Sequence, residues 1–221
     1  MTRIGLIDYG MGNLHSVQRA FERLGAEVVN VHTPAAMDRC TALVLPGVGA
    51  FDPAMERLQA SGMVPAILQW CSADRPLLGI CLGLQLLFEG SAEGRREGLG
   101  LLAGRVEALP RWPGHPIPHM GWAPLLPAVP SPLLPAQSPE SWMYFVHSYA
   151  AVPKDSACVT AEVAWGEGVA TAAVWQGVIG ACQFHPEKSS SAGTSLLRRW
   201  LLWLQRGGDR KSTRLNSSHR T

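Results

Sequence analysis

The sequence lacks the features that mark a membrane protein, a disulfide-bonded secreted protein or a zinc protein. No apolar run approaches the length of about 20 residues that a bilayer-spanning helix needs. The five cysteines are scattered, odd in number and without C-x-x-C spacing, which argues against a disulfide framework and a zinc site. The chain starts without a charged and then apolar leader. We therefore expect a reducing, cytoplasmic location, no membrane partner, no metal and no cofactor.

Charged residues are also sparse, at 16% of the chain, whereas hydrophobic residues make up 47%. This composition is typical of a globular protein, and 221 residues are enough for one sizeable core. Segment 207–221 contains one acid and four bases, and removing it takes the formal net charge from +2 to −1. We therefore predict no nucleic-acid partner, a domain at 1–206, and a disordered, non-native tail at 207–221 derived from a vector or adapter. A basic interaction arm is the alternative for the tail.

Apolar segments alternate between strand and helix spacing in the first half of the chain. Strands are predicted at 3–8, 27–32, 42–45 and 77–80, with helices at 14–24, 52–59 and 64–72 between them. Short links between such segments favour a parallel sheet. The pattern predicts a single-domain α/β fold with a central, mostly parallel sheet flanked by helices.

The second half of the chain differs from the first in its amino-acid composition. Prolines are dense at 110–139, which indicates surface loops and short strands of the same domain. Beyond them, strands are predicted at 142–146, 157–164, 169–175 and 178–184, with a hairpin turn at 176–177 and a final amphipathic helix at 196–204.

One cysteine stands at a sharp change of spacing. An apolar run reaches Cys81, and Leu84, Leu87 and Phe88 then recur at helical intervals. Glycines at 79 and 83 remove side chains that would clash in a tight bend. The pattern is that of a strand-to-helix nucleophile elbow with Cys in place of Ser. A small buried hydrophobe is the competing interpretation, and it is the one we adopt for the other cysteines, Cys40, Cys71, Cys158 and Cys182.

A cysteine nucleophile requires a base and a group that orients the base. His185 follows the predicted strand 178–184 directly, and Pro186 restrains the backbone between His185 and Glu187. We predict that Glu187 binds one ring nitrogen of His185 while the other faces Cys81. The competing interpretation is that so short a motif occurs by chance at the protein surface and has no catalytic role.

The developing oxyanion of an acyl-transfer reaction needs backbone donors. The loop 46–49, with sequence PGVG, lets backbone N–H groups approach a ligand closely. Val48, Gly49 and the N–H of Leu82 are the predicted donors. An ordinary turn is the alternative for this loop.

These residues together resemble the class I (triad) glutamine amidotransferases, through GICLGLQ at 79–85, HPE at 185–187 and PGVG at 46–49. Further motifs narrow the resemblance to the glutaminase subunits of imidazole glycerol phosphate synthase: DYGMGNL at 8–14, HMGW at 119–122, YFVHSY at 144–149 and QFHPEKS at 183–189. The resemblance covers residues 3–205 in order. One departure is Ala123, where the family usually has Asn, so one polar contact beside the family's subunit interface is not expected here.

The resemblance implies a flavodoxin-like fold and hydrolysis of L-glutamine through a thioester on Cys81. It implies that ammonia passes to a cyclase subunit in a heterodimer, which forms imidazole glycerol phosphate and aminoimidazole carboxamide ribotide in histidine biosynthesis. By position, the implied glutamine-binding residues are Gly49, Gln85, Ser148 and Tyr149. The implied interface residues are Asn13, Trp122, Tyr144 and Lys188, although Trp122 and Tyr144 are also ordinary packing aromatics and Lys188 an ordinary surface charge.

Three other functions stay open at the level of sequence. The chain could serve another complex, such as the one that makes pyridoxal phosphate. It could be a non-catalytic module that regulates a partner, or a cysteine hydrolase that acts alone on peptides or esters. No P-loop and no phosphate-binding barrel repeat is visible in the sequence, so an ammonia-accepting site is expected on a separate chain.

Overall fold

Nine strands form one mixed sheet in the computed structural model, which describes residues 2–136 and 141–208. The sheet order is β2-β1-β3-β4-β11-β10-β9-β6-β7. In chain order the strands of this sheet are β1 Arg3–Ile7, β2 Glu27–Val31, β3 Ala42–Gly47, β4 Leu77–Cys81, β6 His119–Pro127, β7 Trp142–His147, β9 Val159–Trp165, β10 Gly168–Gln176 and β11 Ile179–Cys182. The strands β5 Gly104–Ala108 and β8 Tyr149–Pro153 form a separate antiparallel pair.

The helices cover the parallel part of the sheet. They are α1 Leu14–Glu22, α2 Pro34–Met37, α3 Phe51–Ala60, α4 Met63–Ser72, α5 Leu82–Leu86 and α6 Ser190–Gln205. Asn13 caps α1, since its Oδ1 accepts a hydrogen bond from Ser16 N at 3.4 Å. Among the described residues, no helix has both the length and the apolar character that crossing a bilayer requires.

Alternation along each strand divides the core into two apolar clusters, one on each face of the sheet. Leu78 and Ile80 of β4 pack in the cluster that contains Phe21 of α1 and Trp200 of α6. Leu77 of the same strand packs in the cluster built from α3, α4 and α5. Strands that are buried on both faces read as continuous apolar runs, which is why β4 was recognisable from sequence.

The pairings confirm the predicted α/β fold and define its sheet more finely. The strands β2, β1, β3, β4 and β11 run parallel. The remaining strands, β10, β9, β6 and β7, are joined by antiparallel pairings. The proline-rich segment contributes a nine-residue strand, β6, longer than the short strands expected there. The division at 206 into domain and tail stays a prediction, because residues 209–221 lie outside the described residues.

Candidate active site

Cys81 occupies a strained turn between β4 and α5. Its backbone has φ +55° and ψ −114°, in the region that residues other than glycine rarely adopt. A Cβ on Gly83 would overlap the carbonyl oxygen of Leu45, and one on Gly79 would lie 2.9 Å from the carbonyl oxygen of Gly83. The turn therefore requires glycine on both sides, for the steric reason that the sequence suggested. The Cys81 side chain is largely buried, with 7% of the residue exposed.

The predicted base and its orienting acid form a buried pair. Nδ1 of His185 donates to Oε1 of Glu187 at 2.8 Å, and their side chains are 3% and 1% exposed. Because this bond uses Nδ1, only Nε2 is free to exchange a proton with another group. Nε2 is itself buried and has no hydrogen-bond partner of standard geometry.

The pKa of His185 nevertheless depends on the nearby sulfur of Cys81. Burial lowers the pKa of His185, but hydrogen bonding and charge interactions with Cys81 and Glu187 outweigh burial and raise the pKa to about 9. At neutral pH the ring of His185 is therefore protonated on both nitrogens and carries a positive charge. This arrangement gives the site a proton donor next to the thiol.

Neighbouring parallel strands explain how these distant residues meet. The strand β4 pairs with β3 on one side and with β11 on the other. Cys81 ends β4, the loop with Val48 and Gly49 follows β3, and His185 follows β11. Since carboxyl ends of adjacent parallel strands share one edge of a sheet, all three segments line one crevice.

That crevice holds a cavity of about 290 Å³. Its lining includes Cys81 and His185 together with all of the residues predicted for the oxyanion and for glutamine: Val48, Gly49, Leu82, Gln85, Ser148 and Tyr149. A larger cavity of about 520 Å³ lies beside Trp175 and Trp203, and its described lining contains no histidine. Of these two cavities, the smaller is therefore the one that is lined by both a cysteine and a histidine.

Three residues that the sequence patterns did not single out support this site. Glu93 lines the cavity as its only described acidic residue, and its Oε2 accepts from Phe51 N at 2.8 Å. The Tyr9 hydroxyl donates to the carbonyl of Pro46 at 3.0 Å, at the base of the predicted oxyanion loop. Burial and the nearby charge of Cys81 raise the pKa of Tyr9 well above its usual value, so this donor keeps its proton.

Ser189 is the third of these residues, and it ties the His185 turn to β7. Its hydroxyl donates to the carbonyl of His185 at 2.6 Å and accepts from Tyr144 N at 3.0 Å. His185 N donates in turn to the carbonyl of Tyr144 at 2.9 Å. The turn that carries the base is therefore hydrogen-bonded directly to an edge strand of the sheet.

Three of the four residues predicted at a partner interface, Trp122, Tyr144 and Lys188, lie near one another around this edge. Trp122 is 49% exposed, and its ring packs against Tyr144 with centroids 6.0 Å apart. Trp122 and Lys188 also line a shallow cavity with Glu187. Asn13 is half-buried in its capping role. Within the described ranges, no group of three or more His, Cys, Asp or Glu side chains is arranged to hold a metal ion.

The fold and the site define a class of protein. The chain matches the family described as "Glutamine amidotransferase class-I" over residues 5–203, and it belongs to that family. Solved structures agree on the fold. A crystal structure of a glutamine amidotransferase superposes with a TM-score of 0.72 at 20% identity, covering 91% of this chain and 97% of that one. The structure of PurLQS from Thermotoga maritima gives 0.72 at 19% identity, covering 92% and 99%.

More similar relatives carry one shared name. The chain is 61% identical, over 92% of its length and 96% of the relative's, to "Imidazole glycerol phosphate synthase subunit HisH 2" of Parasynechococcus marenigrum (strain WH8102). It is 59% identical, over 94% and 97%, to the protein of the same name from Prochlorococcus marinus (strain MIT 9313). It is 57% identical, over 93% and 97%, to "Imidazole glycerol phosphate synthase subunit HisH" of Synechococcus sp. (strain CC9902).

Proposed function

We propose that this chain is the glutaminase subunit of an imidazole glycerol phosphate synthase and supplies ammonia to a cyclase subunit in a cytoplasmic heterodimer. One observation carries the chemistry: a single cavity contains a strained cysteine, a histidine bonded to a buried glutamate, and the residues expected to hold glutamine. The shared name of the relatives supports the choice of complex.

In the proposed reaction, the Cys81 sulfur attacks the side-chain amide carbon of glutamine. The thiol proton resides on His185, whose raised pKa of about 9 favours holding it, and His185 delivers this proton to the departing nitrogen. Ammonia leaves and a glutamyl thioester remains. His185 then takes a proton from water and the resulting hydroxide attacks the thioester. Glutamate is released, the sulfur leaves as an anion, and the proton from water stays on His185, which restores the starting state. The balance is glutamine plus water to glutamate plus ammonia.

The cavity offers complementary groups to each end of glutamine. Backbone N–H groups of Val48, Gly49 and Leu82 serve as donors to the developing oxyanion. Gln85 and the segment containing Ser148 and Tyr149 hold the substrate. We add Glu93 to the glutamine-binding residues, because its carboxylate lines the cavity and a substrate ammonium group requires a counter-charge when it leaves water.

A partner is proposed on the outer face of the β6–β7 ribbon. Residues two apart in each strand share one face, so Trp122 and Met120 of β6 lie with Trp142 and Tyr144 of β7. Met120 is 63% exposed and Trp122 and Trp142 are each 49% exposed. A cluster of exposed large apolar side chains is typical of a protein interface. Tyr144 also bonds the turn of His185, which supports activation of the site by the partner.

Glutamate release, measured with and without a cyclase subunit and its nucleotide ligand, tests the proposal. We expect low release from the chain alone, because a glycine-containing oxyanion loop can rest with its N–H groups turned away, and strong release from the liganded complex. Equal, high release without any second chain would contradict the proposed subunit role. No release from the liganded complex would contradict the glutaminase activity itself.

A further inference from the structure

The buried side chain of Gln183 contacts the nucleophile, although the mechanism above gives it no role. Its Nε2 lies 3.9 Å from the Cys81 sulfur, within hydrogen-bonding range for that large atom. The residue is 0% exposed. A buried amide is costly unless its donors and acceptor are satisfied, so its surroundings identify which end of the amide faces the sulfur.

The carbonyl oxygen of Tyr149 settles the orientation of the neighbouring amide. Nε2 of Gln85 lies 3.2 Å from this oxygen and 3.0 Å from Oε1 of Gln183. A carbonyl oxygen can only accept, so the atom of Gln85 that faces Tyr149 must be the amide nitrogen. The same nitrogen also faces Gln183, so it is the oxygen of Gln183 that accepts there. The NH2 group of Gln183 is thereby left to point at Cys81.

His147 also contacts the Tyr149 carbonyl, and His119 contacts His147 in turn. Nδ1 of His147 lies 2.8 Å from this oxygen and must therefore carry the proton. In the neutral ring, Nε2 of His147 then accepts from Nδ1 of His119 at 3.3 Å. Burial lowers the pKa of His147 to about 4, which keeps the ring in this neutral form at neutral pH.

We propose that Gln183 is a further catalytic residue of the glutaminase site, whose amide N–H donates to the Cys81 sulfur in a direction fixed by Gln85 and the Tyr149 carbonyl. This inference rests on the proposed function. The sulfur carries negative charge before it attacks and again when it leaves the thioester, and a donor stabilises that charge in both states. Because an amide does not ionise, Gln183 stabilises this charge without taking part in the proton transfer with His185.

Substitution Gln183→Met tests the donor, because Met has nearly the same volume and cannot donate. In the complex with the cyclase subunit and its nucleotide ligand, we expect kcat for glutamine to fall roughly 10-fold with KM changed less than about 2-fold. At fixed pH, alkylation of Cys81 by iodoacetamide, followed by peptide mass spectrometry, should slow by a similar factor. Gln176→Met is the matched control, since Gln176 is exposed at the end of β10.

Unchanged kcat and alkylation, or a loss confined to KM, overturns the role of Gln183. Ammonia-dependent synthesis by the complex reports whether Gln183→Met still folds and assembles. If it does not, Gln183→Asn keeps an amide but is one methylene too short to reach the sulfur, and the same fall in both rates is expected. If wild-type complex released no glutamate, the proposed function would fail, whereas alkylation would still test the contact to Cys81.

A double-mutant cycle tests whether Gln85 directs the amide. Gln85→Met removes the bond to Gln183 Oε1. The double variant, with both Gln85→Met and Gln183→Met, should therefore slow Cys81 alkylation by clearly less than the product of the two single effects. Independent, multiplicative effects would overturn the part assigned to Gln85.

Discussion

The two halves of the sheet differ in what covers their faces. Every residue of β4, in the parallel half, is buried, whereas β7 at the antiparallel edge alternates between buried and less buried positions. The parallel half therefore supports the nucleophile with rigid packing on both sides. The antiparallel edge keeps one face available and is bonded to the turn of the base. The parallel half fixes the position of Cys81, whereas the antiparallel edge carries the exposed face on which the partner is proposed to bind.

The largest effect is expected from removing the Cys81 sulfur, which the parallel half of the sheet positions. We expect Cys81→Ala to lower glutamine-dependent synthesis by the complex at least about 10⁴-fold, because no other group forms the thioester. Synthesis from added ammonium salt should stay at the wild-type level, since the cyclase subunit and its docking are intact. Equal loss of both activities would count against the division of labour between the chains.

Packing around the elbow gives the next largest effect. Gly83→Ala places a Cβ against the carbonyl of Leu45, where backbone has to move, so we expect a loss of about 3 kcal/mol or more in the free energy of unfolding. Urea denaturation measures it. Gly168→Ala is the control, because its Cβ would meet nothing closer than 3.9 Å, and a loss within about 1 kcal/mol is expected. Equal losses would show that the elbow tolerates a side chain.

A substitution on the exposed outer face of the β6–β7 ribbon should weaken association with the partner and leave the fold intact. Trp122→Ala is expected to weaken binding of the cyclase subunit by roughly 10- to 100-fold, the range for an exposed aromatic that anchors an interface. Titration calorimetry measures the affinity. Leu68→Ala, at an exposed apolar position of α4, should leave it unchanged. Unaltered binding by Trp122→Ala would move the interface away from the β6–β7 ribbon.

The smallest expected effect is a pH dependence centred on His185. Burial opposes its protonation, but its interactions with Cys81 and Glu187 raise its pKa from 6.5 to about 9. Protonated His185 therefore stabilises the fold fully below pH 6.5, and this stabilisation is lost as the pH rises through about 9. Urea midpoints should fall over this interval, and His185→Asn should flatten the curve. A midpoint that rises with pH in the wild type would contradict the assignment.

Glutaminase activity, like the stability of the fold, should decrease at high pH. The rate should decline above about pH 9, where His185 loses the proton that it delivers to the leaving ammonia. Rates measured with saturating glutamine in the complex test this. A rate that continues to rise beyond that pH would place the proton donor elsewhere.

Much of the parallel half was predictable because its signals are local. Strand β4 is a continuous apolar run, and Gly79 and Gly83 lie within two residues of Cys81. His185 and Glu187 were recognisable for the same reason, since Pro186 and the preceding strand are adjacent in sequence. Each of these features depends on the backbone within a few residues, which a sequence displays directly.

The rest depends on contacts between segments that are far apart in sequence. Gln183 meets Gln85 across a separation of 98 positions and Cys81 across 102. No local pattern distinguishes its side chain from that of any other glutamine that follows an apolar strand. The pair β5–β8 and the short helix α2 were likewise absent from the prediction. In the proline-rich segment, β6 forms because β7 and β9 supply hydrogen-bonding partners on both sides.

Labelling with an electrophilic glutamine analogue, such as a diazoketone, tests most directly whether the two halves build one glutamine site. Peptide mass spectrometry of the complex should find the adduct on Cys81 and on none of Cys40, Cys71, Cys158 or Cys182, because Cys81 is the only one of the five that lines the described cavity with His185. Excess glutamine should protect Cys81, and His185→Asn should slow the reaction. An adduct on another cysteine, or labelling of Cys81 that glutamine does not slow, would contradict the account.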